Sequence, residues 1–248
     1  MTKKSWYIIC TTPRSGSNLL CSYFEECKLL GRPAEFFNPR IVERGAYSKR
    51  FVFEKSVSLS DYISWLGMTF SSAANVVGSK LLYDDFNYLI CLKPMQALFE
   101  SALIVYLERR DKIKQAVSYF LAKKTGQWMK SDIGTLSRDA VVYDFEEIDQ
   151  IHRMLIYQDQ QWRVIFGARG SDIIHIVYEE CLKDPVSTVQ SVGTRLGLSI
   201  PAEAITTGMA AQTTERDQEF AQRYKSDLLK GIYSAKYRVI YENLEFAP

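Results

Sequence analysis

Hydrophobic positions along this chain fall into two rhythms. Four apolar runs of strand length stand at 6–11, 76–82, 103–108 and 173–178. Between them lie longer stretches in which apolar residues recur every three or four positions, the period of a helix with one inward face. Leu19, Leu20, Tyr23, Phe24 and Cys27 make such a face directly after the first run. Residues 59–73, 94–101, 112–124, the long segment 145–166, 185–196 and about 215–230 read as further helices. Strand-length runs alternating with helices predict an α/β fold, a three-layer sandwich around a mainly parallel sheet. No internal repeat, low-complexity tract or Pro/Gly/Ser-rich linker divides the sequence. Residues 1–248 therefore read as a single domain, with a charged helical C-terminal segment from about 200 that packs on the core or on a partner subunit.

Composition narrows the classes. At 248 residues with 47% hydrophobic content, the chain is large enough to bury a sizeable core. Its 31 basic and 29 acidic side chains leave a formal charge of +2. That balance argues against a nonspecific nucleic-acid binder while leaving room for a local basic pocket. The five cysteines are scattered and mostly embedded in apolar stretches, so they read as buried free thiols rather than a disulfide framework or a zinc site. With no CxxC pair and only His152 and His175, no metal is expected. The first apolar segment follows basic residues but is too short for a signal peptide and lacks a small-residue cleavage site, and no run reaches the length of a membrane span. The expected location is a reducing cytoplasm.

The candidate chemistry begins where the first run ends, in "WYIICTTPRSGSNLL". A strand feeding through a tight turn into a helix aims successive backbone N–H groups at one point, where the helix dipole also favours an anion. Gly16 permits a close approach, Ser15, Ser17 and Asn18 add short polar groups, and Arg14 brings a fork-shaped charge suited to phosphate or sulfate oxygens. The same residues also suit an ordinary strand-to-helix turn with a serine N-cap. The GxxxxGK[ST] signature is not satisfied, because no glycine stands five residues before Gly16 and Ser17 replaces the lysine; GxGxxG is absent as well. A second motif lies in "ALIVYLERRDKIKQAVSYF", where Arg110 falls at a strand end and Ser118 follows eight residues later. Parallel strands present their carboxyl ends on one edge, so these two side chains could meet one anionic group beside the first loop. Two anion sites suggest a ligand phosphorylated at two places. A surface arginine and a helix serine are the plain alternatives.

The Pro-Arg-Ser-Gly turn resembles the 5′-phosphosulfate loop of sulfotransferases, and the Arg110–Ser118 arrangement resembles the segment that grips the donor's 3′-phosphate there. Together with "LLGRPAEFFNP", "VVGSKLLYDDF", "RRDKIKQAVSYFLAKKTGQW" and "VYEECLKDPVSTVQSVGTRLGL", they make the chain from about 6 to 230 resemble the bacterial trehalose 2-sulfotransferase family. The resemblance implies a sulfotransferase, P-loop-like nucleotide-binding fold and 3′-phosphoadenosine 5′-phosphosulfate (PAPS) as sulfuryl donor. It also implies a carbohydrate hydroxyl as acceptor, trehalose or a related glycoside or glycolipid, and a homodimer. It assigns the donor site to Arg14, Ser15, Gly16, Ser17, Asn18, Arg110 and Ser118. The family's G-x-P-x-E-[FY]-F-N glutamate is the general base, which gives that role to Glu35; otherwise Glu35 reads as a solvated loop carboxylate. Arg14 is placed for the leaving group. Lys80 is a candidate for the sulfuryl oxygens or the acceptor, or else a strand-edge lysine. Trp128 is a candidate to stack on adenine or a sugar, or a partly buried structural tryptophan.

Other residues carry less. His152, in a helix, and His175, in a strand, read as satisfied structural histidines. Tyr178, Glu179 and Glu180 close the last strand and are given no chemistry, although their charges suit pairing with arginines. Arg216 and Arg223 read as a solvated helical face. The pattern departs from the family's at Asn18, where threonine is common, and residues 40–60 are where acceptor contacts would differ. Two alternatives stay open: a small-molecule kinase with a degenerate phosphate loop, and an inactive nucleotide- or sugar-binding module.

Overall fold

The computed structural model describes residues 4–38, 58–128, 132–170, 172–205 and 214–230. Most of the candidate acceptor stretch 40–60, and residues 206–213 and 231–248 of the C-terminal segment, lie outside them. The chain groups into two compact units, Met1–Arg110 with Ile156–Ala211, and Asp111–Leu155 with Gln212–Pro248.

The first unit is built on four parallel strands, β1 (Ser5–Thr11), β2 (Val76–Leu82), β3 (Leu103–Glu108) and β4 (Ile174–Val177), in the order β2-β1-β3-β4. Alternate residues of the strands serve opposite faces. Tyr7, Ile9, Val105, Leu107 and Ile176 pack with α1 (Ser17–Glu26) and with Val189 and Val192 of a helix at Pro185–Arg195. Ile8, Cys10, Leu81, Ile104 and Tyr106 pack on the other side, against α2 (Leu59–Thr69), α3 (Tyr83–Leu89), α4 (Lys93–Ser101) and the residues Trp162 and Phe166. Helices thus cover both faces, which is the three-layer arrangement expected. It also explains why the strands read as continuous apolar runs: each large side chain buried on either face contributes about 2 kcal/mol.

The second unit contains α5 (Lys112–Thr125), a 3-10 turn at Arg138–Ala140, the part of α6 (Phe145–Arg169) up to Leu155, and, after Gln212, a helix at Glu215–Leu229. Its core joins Val117, Phe120 and Leu121 of α5 to Ile148, Ile151 and Leu155 of α6 and to Phe220 and Tyr224. Asp111 caps α5, its side chain accepting from the Lys114 N–H at 2.9 Å.

Two short helices escape the periodic pattern. α3 begins immediately after β2, with Asp84 and Asp85 in its first turn. The apolar run at 173–178 ends as a strand at Val177, and Tyr178–Cys181 forms a helical turn, α7. The Pro185–Arg195 helix is then α8 and the Glu215–Leu229 helix α9. Four- and seven-residue helices hold too few turns to show a period. No helix among the described residues is long and apolar enough to cross a membrane.

Candidate active site

The parallel register aligns the carboxyl ends of the strands, Thr11 beside both Leu82 and Leu107, and Glu108 beside Val177. The loops that leave this edge after β1 and β3 carry candidates, Arg14–Asn18 and Arg110. After β1 the chain bends sharply. Arg14 has φ 63° and Gly16, the N-cap of α1, has φ 89°, both left-handed. No side chain caps α1, whose N-cap is Gly16, and the Leu19 N–H turns back to the Gly16 carbonyl at 3.0 Å, so the serine-capped turn is not what the fold builds. Gly16 is required twice over. Its φ suits glycine, and a Cβ there would lie 2.2 Å from the Tyr178 ring.

Ser15 is wholly buried. Its Oγ lies 2.7 Å from Thr11 Oγ1, which lies 2.8 Å from the Leu107 carbonyl oxygen. The carbonyl can only accept, so the Thr11 proton goes to it and Ser15 donates to Thr11. The Ser15 side chain therefore stitches the loop to the β1–β3 pair, and what it can offer an anion is its backbone N–H.

Glu35 is positioned by backbone. The Lys80 N–H donates to the Ala34 carbonyl at 2.9 Å, adding the 31–38 loop to the outer edge of β2. Phe36 and Phe37, both buried, anchor the loop; Phe36 lies against Phe70, and Phe37 meets Tyr62 edge-on. Tyr62 also donates to the Phe36 carbonyl at 2.7 Å. The paired phenylalanines of "AEFFN" thus hold the glutamate in place. Its Oε1 pairs with Lys80 Nζ at 2.8 Å, and its Oε2 accepts from Asn38 Nδ2 at 2.8 Å. Lys80, only 6% exposed at its side chain, also donates to Asn18 Oδ1 at 2.5 Å.

One network therefore ties the expected base to the first turn of α1. Burial pushes the Glu35 carboxyl up, but the Lys80 charge together with the hydrogen bonds from Lys80 and Asn38 outweighs it, and the group sits below its ordinary value. Glu35 is a carboxylate at neutral pH, ready to accept a proton. Cys21, which feels both Lys80 and Glu35, is pushed up by burial to about 11 and stays a thiol.

Arg110 stands just past β3. Its Nη1 pairs with Glu180 at 2.7 Å, and its backbone N–H donates to Glu179 at 3.1 Å, so the acidic residues after β4 do pair with an arginine. The neighbouring Arg109, which the motif passes over, reaches the loop itself, Nη1 donating to the Arg14 carbonyl at 3.1 Å. The only signal for it is the doubled arginine at the strand end. Asn38 was likewise visible in "EFFN" but carried no role.

Ser118 and Trp128 belong to the second unit. Ser118 lies on the buried side of α5. Trp128 is 41% exposed, meets Tyr119 edge-on, and donates its backbone N–H to Asp132 at 2.8 Å. The histidines and C-terminal arginines are engaged structurally. His152 Nδ1 lies 3.0 Å from the Tyr224 hydroxyl, and His175 Nε2 lies 2.8 Å from Glu108. Arg216 and Arg223 lie over Phe220 and Tyr143. Among the described residues, no group of three or more His, Cys, Asp or Glu side chains is placed to hold a metal ion.

The first unit thus joins a parallel sheet, a glycine-capped turn into α1 and a lysine-paired carboxylate beside β2. A sequence model of the Stf0 sulphotransferase family matches residues 6–227, and the chain belongs to that family. Trehalose 2-sulfotransferase of Mycobacterium tuberculosis (strain ATCC 35801 / TMC 107 / Erdman) is 30% identical over 89% of this chain and 94% of that protein. The protein of the same name from Mycolicibacterium smegmatis (strain ATCC 700084 / mc(2)155) is 25% identical, with the same coverage. Among solved structures, the sulfotransferase domain from the Synechococcus PCC 7002 olefin synthase superposes with TM-score 0.52 at 14% identity, over 90% of this chain and 88% of that one. The sulfotransferase domain from the curacin biosynthetic pathway gives 0.50 at 16% identity, over 89% and 83%. These two likenesses bear on the fold, and they agree with a P-loop-like α/β sandwich.

Proposed function

We propose that this sulfotransferase moves a sulfuryl group from PAPS to a carbohydrate hydroxyl, with trehalose the first acceptor to try because both curated relatives carry that name. The observation that carries the reading is the Lys80 ammonium bridging Glu35 to Asn18 at the uncapped start of α1. It brings a base and an anion cradle within one lysine's reach. The loop's chemistry fits the donor's 5′-phosphosulfate: backbone N–H groups at a helix start, and Arg14 as a bidentate cation. Arg110 is the proposed grip on the 3′-phosphate. The Arg110–Glu180 pair is exposed on both sides, 62% and 58%, so exchanging the carboxylate for a phosphate costs little.

In the reaction, Glu35 takes the proton of the acceptor hydroxyl as that oxygen bonds to sulfur. The bond between sulfur and the 5′-phosphate oxygen breaks, and adenosine 3′,5′-bisphosphate departs. Arg14 and the first N–H groups of α1 offset the charge that gathers on the departing phosphate. Protonating Glu35 removes the carboxylate charge that Lys80 faces, which frees the ammonium to stabilise the same oxygens. The chain works as one domain, as a homodimer, in a reducing cytoplasm that suits its five unpaired cysteines.

The test is incubation with labelled PAPS and a panel of glycosides including trehalose, followed by identification of the labelled product. Transfer to a sugar hydroxyl is expected. Tight donor binding without transfer to any sugar would favour an inactive module, and Mg²⁺-dependent ATP binding tighter than that of adenosine 3′,5′-bisphosphate would favour a kinase.

A further inference from the structure

We infer that Arg109 is a positioning residue for the phosphate loop, bracing the bend at Arg14 and Gly16 so that its N–H groups are already turned to the donor's 5′ end; this rests on the donor site proposed above. The strand order β2-β1-β3-β4 means that the chain leaves β1 to one side for β2 and then crosses back to the other side for β3. The crevice of such a sheet opens between the carboxyl ends of β1 and β3, where the connections part. The loop after β1 forms one wall of that crevice. Arg109, the first residue after β3, forms the other.

Three contacts carry the role. Arg109 Nη1 donates to the Arg14 carbonyl at 3.1 Å. Its guanidinium carbon lies 5.2 Å from the centre of the Tyr178 ring. That ring fills the place a Cβ on Gly16 would take, 2.2 Å away. Arg109 therefore braces the loop at Arg14 directly and at Gly16 through Tyr178. These are the two left-handed residues of the bend, and Arg14 at φ 63° is not a glycine, so its surroundings must hold it there. The Nε–H of Arg109 is buried with no acceptor among the described residues. An unmatched buried donor on a cation beneath an anion cradle adds to the pull on a negative ligand.

The adjacent arginines then divide the work. Arg110 is the exposed, exchangeable one, paired with Glu180, and Arg109 is the one built into the loop's support. A role confined to the loop has a signature that general destabilisation lacks, because only the 5′ end of the donor feels it. Affinities for adenosine 3′,5′-bisphosphate and for adenosine 3′-monophosphate, measured by calorimetry on the full chain, separate the two. Arg109→Ala is expected to weaken the bisphosphate about tenfold while the monophosphate changes less than about twofold. Arg109→Lys keeps one donor for the Arg14 carbonyl and should recover most of the loss. The same comparison on Arg109→Lys serves if the alanine variant does not fold, with a loss of about threefold expected for the bisphosphate alone. Equal losses for both nucleotides, or a wild-type preference for the bisphosphate that survives in both variants, would overturn the inference. A wild-type protein that binds the two nucleotides equally would overturn the donor site itself.

Discussion

Two ion pairs, one carried by β2 and one just past β3, differ in everything but length. Lys80–Glu35, at 2.8 Å, is 6% and 21% exposed, while Arg110–Glu180, at 2.7 Å, is 62% and 58% exposed. The first is held on every side: by Asn18 and Asn38 through hydrogen bonds, by the Ala34 carbonyl through the backbone, and by Phe36 and Phe37 through the core. The second lies in water, where such a pair contributes about 0–1 kcal/mol and its partners exchange freely. The lesson is that contact distance does not rank ion pairs. Under the proposed function, the pair that holds the base is the one withdrawn from solvent, and the pair that must open for the ligand is the one left wet.

The sharpest way to break that contrast is at the base. Glu35→Gln keeps the shape and removes the proton acceptor, so turnover should fall by about 10²–10⁴-fold while adenosine 3′,5′-bisphosphate binds nearly as before. Steady-state rates beside calorimetry decide it, and undiminished turnover would strip Glu35 of the role.

Next in size is Lys80→Met. Glu35 sits below its ordinary value because Lys80 and Asn38 outweigh burial. Removing the ammonium lets burial dominate and moves the carboxyl upward. The rate should drop and its acid limb should shift to higher pH. The sign for stability follows from the lowered folded value: the pair's contribution is present above the unfolded carboxylate pKa and is lost as pH falls through the folded one. Urea melts should therefore show Lys80→Met costing about 3 kcal/mol near neutrality and progressively less in acid. An acid limb that stays in place would mean that Lys80 does not govern Glu35.

The exposed pair predicts smaller effects, of opposite sign for its two members. Arg110→Ala should weaken adenosine 3′,5′-bisphosphate about tenfold and adenosine 5′-monophosphate hardly at all. Glu180→Ala should change stability by less than about 0.5 kcal/mol and tighten the bisphosphate about twofold, because Arg110 no longer has a partner to leave. Weaker binding in the Glu180 variant would show that the carboxylate steadies Arg110 for the ligand instead of competing with it.

Much of the scaffold was legible. Among the described residues, the four strands and the seven longer helices fall where the hydrophobic period puts them, because runs buried on two faces and helices buried on one leave periodic traces. The segments that were not legible, Tyr83–Leu89 and Tyr178–Cys181, are too short to have a period. At the site, the loop at Arg14–Gly16 was legible from its residue types, and Glu35 only through its motif. Ser15 illustrates the limit. A serine in an anion loop reads as a donor to the ligand, yet its hydroxyl is turned to Thr11 and wholly buried.

What the amino-acid order determined alone is therefore the layered parallel sheet, the bend that needs Gly16, and the short list of charged residues near strand ends; each depends on neighbours in the chain. The tertiary structure decided which charges meet. Glu35 and Lys80 are distant in sequence and touch because the 31–38 loop is hydrogen-bonded to the edge of β2. Arg109 and Arg110 are indistinguishable as letters, but they part company because successive residues leaving a strand point to different sides, one to the loop and one to Glu180.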